Sequence, residues 1–235
     1  MVAKKIAIDL SNRASVAGIV DSEAALDVAL RMKRGALDFF EIRVDAFAGR
    51  EEELLRRIAR LKLPLIITVR HPAEGGKHAL PLAKRRALFE KFLPHAAFID
   101  IELRSVKSMA AVMQNAAKRK TGVILSHHDF QGMPSPARLR GLARKARNAG
   151  ANVFKAAATT SSPADVETLL AFQRSQKAPL SLMGMGKYGK VSRLLLAEGG
   201  SVLNYGFLKK ANVPGQWAAL ELKKRIKAHG IDKRQ

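Results

Sequence analysis

Gly122-Val123-Ile124-Leu125-Ser126-His127-His128-Asp129-Phe130 is followed, beyond a helical stretch from Pro136 to Ala149, by Asn152-Val153-Phe154-Lys155-Ala156-Ala157. Two short β-rich runs joined by an amphipathic helix form a strand–helix–strand unit, and that connection leaves its two strands parallel. The same alternation continues in both directions. Strands are predicted at Ile6 to Leu10, Phe39 to Val44, Leu65 to Val69, Phe98 to Leu103, Gly122 to His127, Asn152 to Ala157, Pro179 to Met183 and Ser201 to Tyr205. Helices are predicted at Ser22 to Arg34, Glu51 to Leu61, Leu80 to Phe92, Ser105 to Lys118, Pro136 to Ala149, Pro163 to Gln176, Val191 to Glu198 and Gln216 to His229. Eight such units predict an α/β fold, a closed (β/α)8 TIM barrel, with residues 1–235 as a single domain. Ser22 and Ser162 are expected N-caps, with Asp165 supplying a carboxylate to the first helical turn, and Gly35 and Gly150 fit helix ends. In such a barrel the site is built at the C-terminal ends of the strands, so polar residues there matter most.

Hydrophobic residues make up 47% of the 235, enough for a substantial core. No run approaches the roughly 18 uninterrupted apolar residues of a membrane span. Met1 to Ile8 enter a strand pattern with no apolar leader or cleavage site, so a cytoplasmic protein is expected. The absence of cysteine excludes disulfides, a thiol nucleophile and thiolate metal sites. Lys and Arg total 42 against 20 acidic residues, a formal charge of +22. That excess is compatible with solvated helix faces, with steering of an anionic substrate, or with non-specific nucleic-acid binding. It is spread over several helices, as in Lys84-Arg85-Arg86, Lys118-Arg119-Lys120, Arg138 to Arg147 and Lys223-Lys224-Arg225, which is unlike a dedicated DNA reader.

Lys155 stands inside an apolar strand-like run. Leaving water disfavours a charged amine, so a lysine there is neutralised, paired or used as a nucleophile, and neighbouring cations are expected to favour its neutral form. His128 closes the fifth strand, where a histidine can shuttle protons for a reactive amine, and a carboxylate such as Glu74 can fix its tautomer. His127 should face the opposite side and serve structure. A metal site among His71, His78, His127, His128 and Asp129 matches no established ligand spacing. Glu41, Arg43 and Asp45 fall on one face of the second strand, where Glu41 and Arg43 are expected to pair and reach substrate hydroxyls. Arg70 ends the third strand beside Glu74-Gly75-Gly76.

Gly184-Met185-Gly186-Lys187-Tyr188-Gly189 matches a dinucleotide fingerprint, but it lies in the seventh unit, and Lys209-Lys210 occupy the region of the ribose-binding acid. A flexible anion-facing loop is the better reading, with Arg193 beside Ser192 available for a carboxylate. The last loop, Lys209 to Gln216, contains Pro214-Gly215 and is expected to close over a ligand with Gln216 pointing inward.

Together these segments resemble type I 3-dehydroquinate dehydratase, the Schiff-base enzyme of the shikimate pathway. The likeness rests on Glu41-Ile42-Arg43-Val44-Asp45, Thr68-Val69-Arg70 with Glu74-Gly75-Gly76, Ser126 to Phe130, Lys155, Ser192-Arg193, Gly200-Ser201 and Pro214-Gly215-Gln216. The resemblance implies that Lys155 forms an imine with the C3 ketone of 3-dehydroquinate, that His128 is the general base and acid, and that Glu74 orients His128. It implies that Arg193 and Gln216 hold the substrate carboxylate and that Glu41, Arg43 and Arg70 recognise ring hydroxyls. No metal or organic cofactor is implied, and a homodimer is. Asn212 replaces the family's serine at a substrate-binding position, and Met183-Gly184-Met185 replaces Met-Ser-Met, which is expected to loosen that loop. The rival readings are a class I lysine-imine aldolase and a catalytically idle basic barrel that binds nucleic acid.

Overall fold

The computed structural model describes residue 10 and residues 14–231. Eight parallel strands form one sheet: β1 (Ser15–Val20), β2 (Phe39–Arg43), β3 (Leu65–Thr68), β4 (Ala96–Glu102), β5 (Gly122–Asp129), β6 (Val153–Thr159), β7 (Leu180–Met185) and β8 (Leu203–Phe207). Eight helices alternate with them: α1 (Glu23–Arg31), α2 (Glu51–Ile58), α3 (Leu82–Phe92), α4 (Ala110–Lys118), α5 (Pro136–Asn148), α6 (Pro163–Arg174), α7 (Gly189–Glu198) and α8 (Ala219–Ala228). From β1 to β7 each strand pairs with the next in sequence, and β1 also pairs with β8, so the order is that of a TIM barrel. The seam between β7 and β8 is closed by Val202 N donating to Leu180 O at 2.8 Å and by Ser181 Oγ donating to Leu203 O at 2.6 Å. Among the described residues no helix is long and apolar enough to cross a membrane.

Among the described residues the first strand lies later than the run the sequence predicts. β1 is Ser15–Val20, and of the expected run from Ile6 to Leu10 only Leu10 lies within the described residues, where it is buried without regular structure in the barrel-interior cluster. Ser15-Val16-Ala17-Gly18-Ile19-Val20 carries a weak β signal because its side chains are small. The packing requires that: a Cβ on Gly18 would stand 2.8 Å from side-chain carbons of Leu37 and Leu208. The fourth helix also begins later than expected, at Ala110. Ser105 sits in a separate 3-10 turn, where its hydroxyl donates to Glu102 Oε2 at 3.2 Å.

Strand alternation divides the side chains into two sets. One set, including Phe40, Ile42, Ile67 and Ile99, packs outward against helices that contribute Leu26, Leu54, Phe89 and Phe92. The other fills the barrel with Phe39, Ile66, Phe98, Ile124 and Val153. The interior is thus apolar at the strand starts, while Glu41, Arg43, Asp100, Glu102, Ser126, His128 and Lys155 continue the same faces toward the strand ends. Helix entry is set locally as well: Ser22 Oγ accepts from Ala25 N, and Ser162 with Asp165 makes a reciprocal capping box.

Candidate active site

A balanced cluster of buried charge occupies the centre of the barrel. Lys155 Nζ lies 2.8 Å from Asp100 Oδ2 and 3.4 Å from Glu41 Oε1, and 3.8 Å from the centre of the Tyr205 ring. Arg70 donates to both Asp100 oxygens at 3.1 and 2.9 Å, to Glu102 Oε1 at 3.0 Å and to Ser126 Oγ at 2.8 Å. Arg85 donates to Glu102 Oε2 at 2.5 Å, and Thr68 Oγ1 donates to Glu41 Oε1 at 2.9 Å. Lys155, Arg70 and Arg85 thereby face Glu41, Asp100 and Glu102, three cations against three carboxylates. At this depth pairing and hydrogen bonding offset the loss of water. Burial alone would raise the Asp100 carboxyl, but the charges of Arg70 and Lys155 outweigh it and hold the group well below the usual carboxylate range.

Two sequence expectations are corrected here. Lys155 is touched by carboxylates rather than by cations, and the Arg70 guanidinium meets the same Asp100 carboxylate. Arg43 does not pair with Glu41: its Nε and NH2 grip Asp45 at 3.0 and 2.8 Å, and NH2 also donates to Gly75 O at 2.8 Å. The chain bends into a 3-10 turn after Arg43, which carries Asp45 back beneath the guanidinium. Asp45 then accepts from Arg70 N and Lys77 N, so one buried carboxylate fastens both ends of the loop that carries Glu74.

On that loop Glu74 Oε2 lies 2.9 Å from His128 Nδ1 and accepts from His128 N at 3.1 Å. His128 is two residues beyond Ser126, the register partner of Lys155, so imidazole and amine share one face of neighbouring strands. Burial, reinforced by Arg70 and Lys155, pushes His128 well below its ordinary pKa and keeps the ring neutral. Burial, with Glu102 nearby, lifts Glu74 to about 7. With Nδ1 engaged by Glu74, Nε2 is the nitrogen left for chemistry. His127 points to the other side of the sheet and is half-buried.

Arg193, in the second turn of α7, is buried and donates NH1 to Tyr205 O at 2.9 Å. Its Nε has no hydrogen-bond partner, and no carboxylate forms an ion pair with it among the described residues. Burial lowers it to about 10. A buried guanidinium without a counter-charge can receive an anion. Gln216 is buried too, and its Oε1 accepts from Asn212 N at 2.9 Å, which ties the middle of the last loop to its end. The Asn212 side chain is exposed.

The glycine-rich turn after β7 is tightly packed. A Cβ on Gly184 would meet Ser192 Oγ at 2.4 Å and Thr160 Oγ1 at 2.7 Å, so the space of a side chain is already filled. Ser192 Oγ accepts from Gly184 N at 3.2 Å and donates to Gly189 O at 2.9 Å. Gly189 packs against the backbone of Gly215, and Gly186 N donates to Pro214 O at 2.9 Å. Close docking of two loops, rather than phosphate binding, accounts for the glycine spacing.

The structure gathers Lys155, Glu41, Arg70, His128 and Glu74 around one point, sets Arg43 behind them as a loop fastener, and places Arg193 beside Tyr205. Asp100, Glu102, Arg85 and Tyr205 were not singled out from the sequence. Asp100 and Glu102 had the signal that drew attention to Glu41 and Arg43, charges alternating with Ile along a strand. Tyr205 had none.

A family model for type I 3-dehydroquinase matches residues 18–233. The 3-dehydroquinate dehydratase of Thermococcus gammatolerans is 33% identical over 216 residues, covering 90% of this chain and 97% of its own length. Among solved structures, the type I 3-dehydroquinate dehydratase of Clostridium difficile, bearing covalently modified comenic acid, superposes with a TM-score of 0.84 at 26% identity over 92% of each chain. The 3-dehydroquinate dehydratase of Aquifex aeolicus gives a TM-score of 0.80 at 30% identity, covering 91% of this chain and 98% of its own. With the barrel, the strand-end charges and this likeness running end to end, the chain belongs to the type I 3-dehydroquinase family.

Proposed function

We propose that the chain dehydrates 3-dehydroquinate to 3-dehydroshikimate through an imine on Lys155. The observation that carries this reading is a buried amine sharing a barrel face with a neutral histidine on the adjacent strand. With a proton passed from Lys155 Nζ to His128 Nε2, the free amine adds to the C3 carbonyl; the hydroxyl of the carbinolamine then leaves as water with that proton returned by His128, and the resulting imine draws electron density from C2. His128 Nε2 takes the C2 proton, generating an enamine. The enamine pushes out the C1 hydroxyl, which leaves as water with the proton returned by His128. A second water hydrolyses the conjugated imine, releasing product and restoring the amine. The route uses no metal or organic cofactor.

Glu74 holds the Nδ1 proton of His128 and so directs Nε2 at the substrate. Arg193 supplies the counter-charge for the substrate carboxylate, with Gln216 and Asn212 from the closing loop, while Glu41, Arg43 and Arg70 lie at the strand ends where ring hydroxyls would sit. By the same family likeness the chain acts as a homodimer in the cytoplasm.

The test is incubation with 3-dehydroquinate and borohydride, followed by peptide mass spectrometry. Reduction should fix the substrate to the peptide containing Lys155, and without borohydride the absorbance of the conjugated enone should grow. An unmodified Lys155 peptide in an enzyme that does make the enone would defeat the imine route.

A further inference from the structure

We propose that the outer face formed by α4 and α5 binds the phosphate backbone of nucleic acid without regard to sequence. Every other helix of the barrel carries at least one acidic residue, whereas α4 and α5, neighbours around the barrel, carry none. Between residues 103 and 164 there are ten Lys and Arg besides Lys155 against one acid, Asp129. The net charge of +22 is therefore not spread evenly over the surface.

On the α1–α3 side of the barrel the outer helices neutralise each other. Arg57 of α2 pairs with Glu23 and Asp27 of α1, and Lys84 and Lys91 of α3 pair with Glu51 and Glu52 of α2. No such pairing holds Lys118, Lys120, Arg140, Arg144, Lys145 or Arg147 among the described residues. Arg140, Arg144 and Arg147 recur at helical spacing and are exposed, while Leu139, Ala143 and Ala146 fasten the other side of α5 to the barrel. The row spans about 10 Å along the helix, a length over which duplex DNA presents several phosphates.

Three features favour a phosphate backbone over other anionic partners. The row is arginine, whose planar fork matches phosphate oxygens. None of the large exposed hydrophobic side chains, Leu82, Phe130, Val191, Leu195 and Leu220, lies on α4 or α5, so nothing there would enter a lipid bilayer. A groove of about 490 Å³ lies between the C-terminal ends of the two helices, lined by Gln114, Lys120, Ala149 and Asn152 among others and by no acid. It lets a strand approach without meeting a like charge. The face is outside the barrel wall, so occupancy leaves Lys155 accessible.

The experiment is fluorescence anisotropy with a labelled mixed-sequence oligonucleotide, single-stranded and duplex, over a range of salt. Binding should weaken steadily with salt. Combined Arg140→Glu, Arg144→Glu and Arg147→Glu should weaken it at least tenfold and reduce the log–log salt slope by about 2 to 3. The control is Lys62→Glu, Lys224→Glu and Lys227→Glu, which makes the same change in net charge on exposed positions elsewhere. Dehydratase turnover should match wild type in both variants, and Arg→Gln replacements at the same three positions serve if the charge reversal fails to fold. Equal weakening by the control, no binding at low salt, or arginine-dependent binding to phosphatidylserine–phosphatidylcholine vesicles as tight as to the oligonucleotide would each overturn the proposal.

Discussion

Asp100 Oδ2 stands 2.8 Å from Lys155 Nζ, and the same carboxylate is clasped from its other side by both terminal nitrogens of Arg70. Asp100→Ala therefore strips the shared counter-charge from two buried cations. Losing one member of a buried ion pair costs about 3–5 kcal/mol. Urea unfolding of the variant should show a loss of that size, and a loss under about 1 kcal/mol would mean that the cluster does not bear on stability.

Glu74 links the site to pH. Its carboxyl, at about 7 in the folded chain, sits above its ordinary value of 4.5, so the folded state holds the proton more tightly than the unfolded state does. Its contribution to stability is complete below about pH 4.5 and is lost as pH rises through about 7, an effect of up to about 3 kcal/mol. Glu74→Gln removes that dependence. Between pH 5 and pH 8, buffer conditions for denaturant titrations, wild type should lose more stability than the variant; parallel profiles would refute the assignment.

Arg193 separates binding from folding. Because its guanidinium lacks a carboxylate partner among the described residues, Arg193→Gln should leave stability within about 1 kcal/mol of wild type. Loss of a charge-assisted bond to substrate should raise KM for 3-dehydroquinate roughly 10- to 100-fold. Steady-state kinetics beside thermal unfolding decide the matter, and a large fall in stability with unchanged KM would assign the residue to structure alone.

Gly184 offers a test of the filled loop. Gly184→Ser restores the residue of the family pattern, yet its Cβ would meet Ser192 Oγ at 2.4 Å and Thr160 Oγ1 at 2.7 Å. Overpacking of this kind costs about 1–3 kcal/mol. Thermal unfolding should register the loss, and relief is expected when Thr160→Ala is added. A Gly184→Ser chain as stable as wild type would show that the loop has room.

The barrel was largely legible because strands 2 to 8 read as short apolar runs alternating with amphipathic helical stretches, and the helices carry caps such as Ser162 with Asp165. The first strand was hidden because Gly18 and Ala17 suit a tight interior seam but resemble no strand, whereas Ile6-Ala7-Ile8 has the alternation of one. Lys155, His128 and Glu74 were readable as an expensive lysine, a strand-end histidine and a rim carboxylate. Their partners were less so: Tyr205 reads as an ordinary core aromatic, and its place under the Lys155 amine appears only when β8 closes beside β1.

By itself the sequence determined which residues of strands 2 to 8 face inward, since alternation along a strand is a local property of the backbone. Only the tertiary structure decided which inward charges meet. Lys155 and Asp100 are 55 residues apart, and Arg43 chose Asp45 over Glu41 because a 3-10 turn returned that carboxylate beneath it. Pairing energy depends on distances of a few ångströms inside a low-dielectric interior, and those distances are set by barrel register and loop geometry rather than by residue order.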